Sequence, residues 1–265
     1  MKIFEMIDEE SGLSLGVLLY YEKEKTYIVE LQEYLDEWNA PLLFTAYVKK
    51  HIYTIPRDVS FMWVKERVIP SGRQNIASIL ANHGLQAYDE MKFLELSEGK
   101  CSQDKIYIKK VKKLPEFIKK RQIHNVVECV ALSDNTILCF FTDDKVKKID
   151  LTKLVKVDDV DKIIKNEMLF QSVKVGTGGY FITFNDSIDI PSALLYESGE
   201  DIALKLEDFK MFIRKNIFDT SEACNVLECS RQNVAYMVNQ KRIIPVKEEV
   251  RGNLYLKGDV IRNKW

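Results

Sequence analysis

The chain has 265 residues, of which 46% are hydrophobic and 30% charged, with few Pro and Gly; this excludes disorder, a fibrous repeat and a single small domain. The formal net charge of -1 hides an uneven split. From Arg214 to Trp265 there are ten Lys and Arg against six Asp and Glu, whereas Arg121 to Glu200 has nine against thirteen, so one segment suits phosphates and the other repels them. No apolar run approaches the roughly 18 residues of a membrane span. The cysteines Cys101, Cys129, Cys139, Cys224 and Cys229 lack C-x-x-C spacing. Free thiols in a cytoplasmic protein are expected, with no disulfide, metal site, membrane contact or cofactor.

The pattern predicts a multidomain α+β protein in three segments. The first, residues 1–120, is an α+β domain to which no motif assigns a role. Ser14 to Tyr21 and Thr26 to Leu31 read as strands and Glu33 to Asn39 as a short helix. Pro56 marks a turn, and Phe61 to Val64 fits either an apolar strand or a buried helix. Arg73 to Asn82 reads as a helix stopped at His83-Gly84, and Ala87 to Leu96 as the second arm of a helical hairpin. Lys105 to Arg121, broken by Pro115, reads as a basic connection or as a strand and short helix.

The second segment, residues 121–206, is predicted to be a small β-meander with a helix. Val126 to Leu132, Thr136 to Phe141 and Val146 to Leu151 alternate in hydrophobicity around turns at Ser133-Asp134-Asn135 and Asp143-Asp144. Val173 to Val175 and Tyr180 to Phe184 form a further hairpin around Gly176 to Gly179, and a helix should begin between Pro191 and Leu195. A phosphate loop at those glycines is disfavoured because a strand follows, not a helix. Cys129 lies within a strand, which favours core packing over a ligand pair with His124. Phe140-Phe141-Thr142-Asp143-Asp144, Lys147 to Leu151, Val173-Lys174-Val175 and Ile182 to Ile190 carry a resemblance over about eighty residues. They resemble a bacterial domain-of-unknown-function family, numbered 2442. The resemblance implies a compact α+β module without assigned activity, sometimes joined to a C-terminal helix-turn-helix.

The third segment, residues 214–265, carries the functional signal. Asp219 is an N-cap with Glu222 three residues on, opening a helix through Cys224, Val226 and Leu227. After a Glu228-Cys229 turn, Ser230 caps a second helix, Arg231 to Val238. Val234, Met237 and Val238 should pack on Ala223, Val226 and Leu227, which leaves Arg231, Gln232 and Asn233 exposed at the helix start. These residue types can form paired hydrogen bonds with base edges. Lys241 to Lys247 and Asn253 to Leu256 read as two strands of a hairpin around Glu248 to Gly252. A short helix then closes the chain at Gly258 to Ile261.

Ser221-Glu222-Ala223, Cys229 to Val234, Lys241 to Pro245 and Leu254 to Val260 resemble winged helix-turn-helix domains of the MerR and excisionase type. The resemblance implies double-stranded DNA as partner, with Ser230, Arg231, Gln232, Asn233 and Tyr236 on bases or backbone. Lys241, Arg242, Lys247, Arg251, Asn253 and Lys257 would grip the backbone on and beside the wing. Lys241 or Arg242 stands where that family has a glycine, and Glu248-Glu249 places negative charge in the wing. The expected protein is a bacterial or mobile-element transcriptional regulator, not an enzyme, acting as a homodimer because one module covers one half-site. The alternative is an antitoxin-like or accessory protein that docks a partner through the same helices. Arg73 to Ile76 mimics Arg231 to Val234, but no basic wing follows it, so a capped, exposed helix start is expected there.

Overall fold

The computed structural model describes all residues except 155, 156, 158, 203–205, 251 and 265, and of 206, 207, 249 and 250 it describes the backbone alone. Helix accounts for 37% and strand for 26%, and every strand pairing among the described residues is antiparallel, so the chain is α+β and not α/β. Among the described residues no helix is long and apolar enough to cross a membrane. The chain divides into two compact units, Met1–Ile118 and Lys119–Trp265.

The first unit is built on a five-stranded sheet of order β4-β3-β2-β1-β5. Its strands are β1 (Lys2–Asp8), β2 (Ser14–Tyr21), β3 (Thr26–Leu31), β4 (Thr54–Ile55) and β5 (Ile106–Val111). The helices are α1 (Thr45–Val48), α2 (Arg57–Lys65), α3 (Ile76–Asn82) and α4 (Glu90–Leu96), and α5 (Glu116–Gln122) carries the chain into the second unit. The Phe61 to Val64 run proves helical. It lies inside α2, which opens after Pro56 (φ -51°) and buries Ser60, Trp63 and Val64 on one face. The buried Arg67 guanidinium stacks 3.8 Å from the Trp63 ring and pairs with Asp104.

Three expectations for this unit need correction. Glu33 to Asn39 forms turns, not a helix, because side chains there satisfy the backbone locally. Asp36 Oδ1 accepts from the N–H groups of Trp38 (2.9 Å) and Asn39 (3.1 Å), and Asn39 Oδ1 accepts from that of Asp36 (2.8 Å). The helix expected from Arg73 begins only at Ile76, and the one expected from Ala87 only at Glu90, where Asp89 caps it by accepting from Lys92 N–H.

The second unit holds a four-stranded sheet, β12-β8-β7-β6, and a three-stranded sheet, β11-β10-β9. The strands are β6 (Val126–Ala131), β7 (Thr136–Phe141), β8 (Val146–Asp150), β9 (Val173–Val175), β10 (Phe181–Phe184), β11 (Ile188–Pro191) and β12 (Glu200–Asp201). With α6 (Val160–Ile164), α7 (Glu167–Gln171) and α8 (Ser192–Ser198) they enclose a core that includes Ile137, Phe141, Phe170, Ile182 and Phe184. Cys129 and Cys139 lie buried opposite one another on β6 and β7, and burial pushes both thiols well above the ordinary range. His124 stacks 3.9 Å from the Tyr196 ring.

Helix α9 (Leu206–Asn216) occupies what the sequence suggested was a junction between two domains. It is bound to the sheet: Phe212 packs on Val130, Leu132 and Leu138, with its ring 4.9 Å from that of Phe140. The remaining elements are β13 (Ile217–Phe218), α10 (Thr220–Leu227), α11 (Arg231–Asn239), β14 (Lys247–Val250), β15 (Gly252–Leu256) and α12 (Lys257–Arg262). Residues 121–206 and 214–265, which the sequence treats as separate domains, therefore share one compact unit.

Candidate nucleic-acid interface

The two helices α10 and α11 begin at caps that their own sequences supply. Asp219 Oδ1 accepts from the N–H groups of Ser221 (2.7 Å) and Glu222 (2.8 Å), while Glu222 Oε2 accepts from Asp219 N–H (2.8 Å), a reciprocal capping box. Glu228 ends α10 in the left-handed conformation (φ 52°) and reverses the chain, after which Ser230 Oγ accepts from Asn233 N–H (3.3 Å) to open α11. Ala223, Val234, Met237, Ile243, Tyr255 and Val260 form the buried core of this segment, with Val226, Leu227 and Val238 at its margin.

With that face buried, Ser230, Arg231, Gln232, Asn233 and Tyr236 are all exposed. Arg231 Nη2 donates to Ser221 Oγ (3.0 Å), which ties its guanidinium to the preceding helix. The other polar heads at this end of α11 face water. An Arg, a Gln and an Asn grouped at an open helix start offer a fork donor and two amides, the groups that pair bidentately with guanine and adenine.

The hairpin that follows is shorter than expected. Its first strand starts at Lys247, not Lys241, and pairs with β15, Lys247 opposite Leu254 and Val250 opposite Gly252. Residues 241 and 242 instead close α11, and Val246 N–H donates to Leu254 O (2.6 Å) just before the strand. Lys241 N–H donates to Val238 O (2.9 Å) and Arg242 N–H to Met237 O (2.9 Å), the paired bonds of a Schellman motif. Lys241 thus sits in the left-handed position (φ 55°) where glycine is favoured. Ile243 then turns into the core and Pro245, lacking an N–H, cannot donate to a ladder. Lys241, Arg242 and Lys247 are exposed, Asn253 is half-buried on β15, and Arg251 lies outside the described residues.

Lys257 belongs to a different feature. It is the first residue of α12 and lines, with Lys215 and Asn216, a cavity against β6. Here the C-terminal segment meets the outer edge of the four-stranded sheet. Strand β6 carries a bulge between Val126 and Glu128, and its outward carbonyls at residues 127, 129 and 131 each find a side-chain donor. Arg262 donates to Val127 O, Asn216 Nδ2 to Cys129 O (2.9 Å) and Lys215 Nζ to Ala131 O (2.7 Å). An exposed strand edge is thereby closed within the chain.

Glu128 completes the junction. Its carboxylate accepts from Cys129 N–H (3.0 Å) and from Gly258 N–H in the first turn of α12, whose own N-cap residue, Leu256, supplies no acceptor. The residue is only 5% exposed. Burial pushes its carboxyl up to about 7, against the opposing pull of the two backbone donors and of Lys257 and Arg262. Only glycine fits at 258, because a Cβ there would fall on Val127 O and the Glu128 carboxylate.

The sequence reading missed Glu128, Lys215, Asn216 and Arg262. One signal was present: an acidic residue set in the apolar run Val126-Val127-Glu128-Cys129-Val130. Comparison with protein-family models, curated proteins and solved structures returned no match to this chain.

Proposed function

We propose that the C-terminal segment is a winged helix-turn-helix that binds double-stranded DNA sequence-specifically, with the start of α11 in the major groove and the β14–β15 hairpin as the wing. The observation that carries this reading is the exposed trio Arg231, Gln232 and Asn233 at the capped start of a helix held from behind by α10. Lys241, Arg242 and Lys247, exposed on the stretch from α11 into the hairpin, supply backbone contacts that position the reader. The surplus of basic residues in this segment agrees with that role. The sequence motifs that resemble MerR and excisionase-type domains, and those in residues 121–206 that resemble domain-of-unknown-function family 2442, accord with a bacterial or mobile-element regulator. Its role is binding and not catalysis, and it acts in the cytoplasm as a homodimer over two half-sites. Selection of bound duplexes from a random pool by the full chain tests the proposal. Enrichment of a short, defined motif is expected; retention of unenriched sequence would overturn it.

A second reading has its own observation. Tyr236, Ile244 and Val246 are 56%, 66% and 52% exposed, an apolar presence unusual for a surface that meets only phosphates. In that reading the same helices dock a protein partner in an antitoxin-like or accessory role. It predicts a stoichiometric complex that Tyr236→Ala and Ile244→Ser weaken and Arg231→Ala leaves intact.

A further inference from the structure

We propose that the cavity between the β6 edge and the C-terminal segment is a binding site for a small oxyanion, a phosphate or a short carboxylate, held by Lys215 and Lys257. The cavity has a volume of about 210 Å³. Cys129 and Ala131 of β6 form one wall, Gln171 another, and Lys215, Asn216 and Lys257 the third. Two lysines thus line one space, and no acidic residue is among the described residues that line it.

The carboxylate nearest in chemistry, Glu128, has both oxygens committed to the N–H groups of Cys129 and Gly258. Lys215 donates to Ala131 O (2.7 Å) and to the Gln171 side chain, which leaves one of its three N–H donors. Lys257 makes no ion pair among the described residues. Like charges that share one pocket repel, and an anion between them reverses that cost while supplying acceptors for the remaining donors. The direction of the Lys215 pKa agrees: desolvation lowers it, Glu167 pulls the other way, and Lys257 lowers it further.

Size restricts the ligand. The cavity is smaller than the roughly 300–1,000 Å³ of drug-sized sites, so it suits an ion of a few heavy atoms and not a nucleotide. The ligand would touch β6 together with α9 and α12, so it would brace the same junction that Glu128 and Arg262 hold. This assignment does not depend on the DNA reading, whose phosphates would meet the exposed Lys241, Arg242 and Lys247.

Calorimetric titration of inorganic phosphate, and separately of succinate, into the full chain at constant ionic strength and without nucleic acid tests the site. Saturable one-to-one binding of at least one anion is expected. Lys257→Gln should weaken it about tenfold, the loss of one charge-assisted hydrogen bond, while Lys257→Arg restores it and Arg242→Ala has no effect. Lys215→Met, with its fold checked by circular dichroism, should reproduce the loss. Absence of binding for both anions down to about millimolar affinity, binding that survives both lysine substitutions, or binding abolished by Arg242→Ala would overturn the proposal.

Discussion

The C-terminal segment presents two polar surfaces that obey opposite rules. Toward β6, Lys215, Asn216, Arg262 and Gly258 each donate to a specific acceptor, and the outward carbonyls of residues 127, 129 and 131 are all matched. At the start of α11, Arg231, Gln232 and Asn233 stand in water, with the Arg231–Ser221 bond to steady them. A buried donor must find its acceptor within the fold, because leaving it unmet costs about 1–3 kcal/mol. An exposed donor has water as its partner and loses little by exchanging it for a ligand. The first surface therefore belongs to stability and the second to the proposed recognition, and substitutions should separate them.

The largest effect is expected at Glu128. Glu128→Ala leaves the N–H groups of Gly258 and Cys129 without their acceptor, and chemical denaturation should report a loss of about 2–4 kcal/mol. The sign of the pH dependence follows from the raised carboxyl. Between pH 4.5 and 7 the folded protein holds a proton that the unfolded chain has released, so this group's contribution is present at low pH and is lost as pH rises to about 7. The change is on the order of 3 kcal/mol. Glu128→Gln keeps an acceptor for Gly258 and has no charge to bury, so it should flatten that slope and match or exceed the parent above pH 7. An unchanged slope in Glu128→Gln would remove Glu128 from the account. Gly258→Ala comes next, at roughly 1–3 kcal/mol, since its methyl must displace Val127 O or the carboxylate.

The surface proposed to meet DNA predicts the reverse pattern. Lys241→Gly relieves a left-handed lysine and should raise stability by about 0.5–1 kcal/mol. The same change removes a cation from the proposed backbone contact, so DNA affinity should fall while the melting temperature rises. A variant that gains or loses both together would mean that the two surfaces are not separate.

Much of this arrangement was legible in local chemistry. The β6–β7–β8 meander was readable because its apolar alternation is punctuated by Ser133-Asp134-Asn135 and Asp143-Asp144, residues that accept the left-handed conformation seen at 134, 135 and 144. The caps at Asp219 and Ser230 depend on bonds spanning two or three residues, so α10 and α11 could be placed from sequence. The first strand of the hairpin was misplaced because Lys241 to Val246 has strand-like composition, yet Ile243 is drawn into the core and the Schellman bonds take the backbone of 241 and 242. Helix α9 escaped notice because its role is set by Phe140, Val130 and Leu138, far away in the chain. The β6 junction is more remote still: Asn216 and Cys129 are 87 residues apart, and Gly258 and Glu128 are 130 apart. No local pattern encodes such pairs.

The most direct test of the central claim is a fluorescence-anisotropy titration of the full chain against its selected duplex and a scrambled one, at physiological ionic strength, comparing the parent with Arg231→Ala. The account predicts a preference for the selected duplex that falls roughly tenfold or more in the variant, with thermal stability unchanged. Equal binding of both duplexes by the parent, or a preference that survives Arg231→Ala intact, would contradict it.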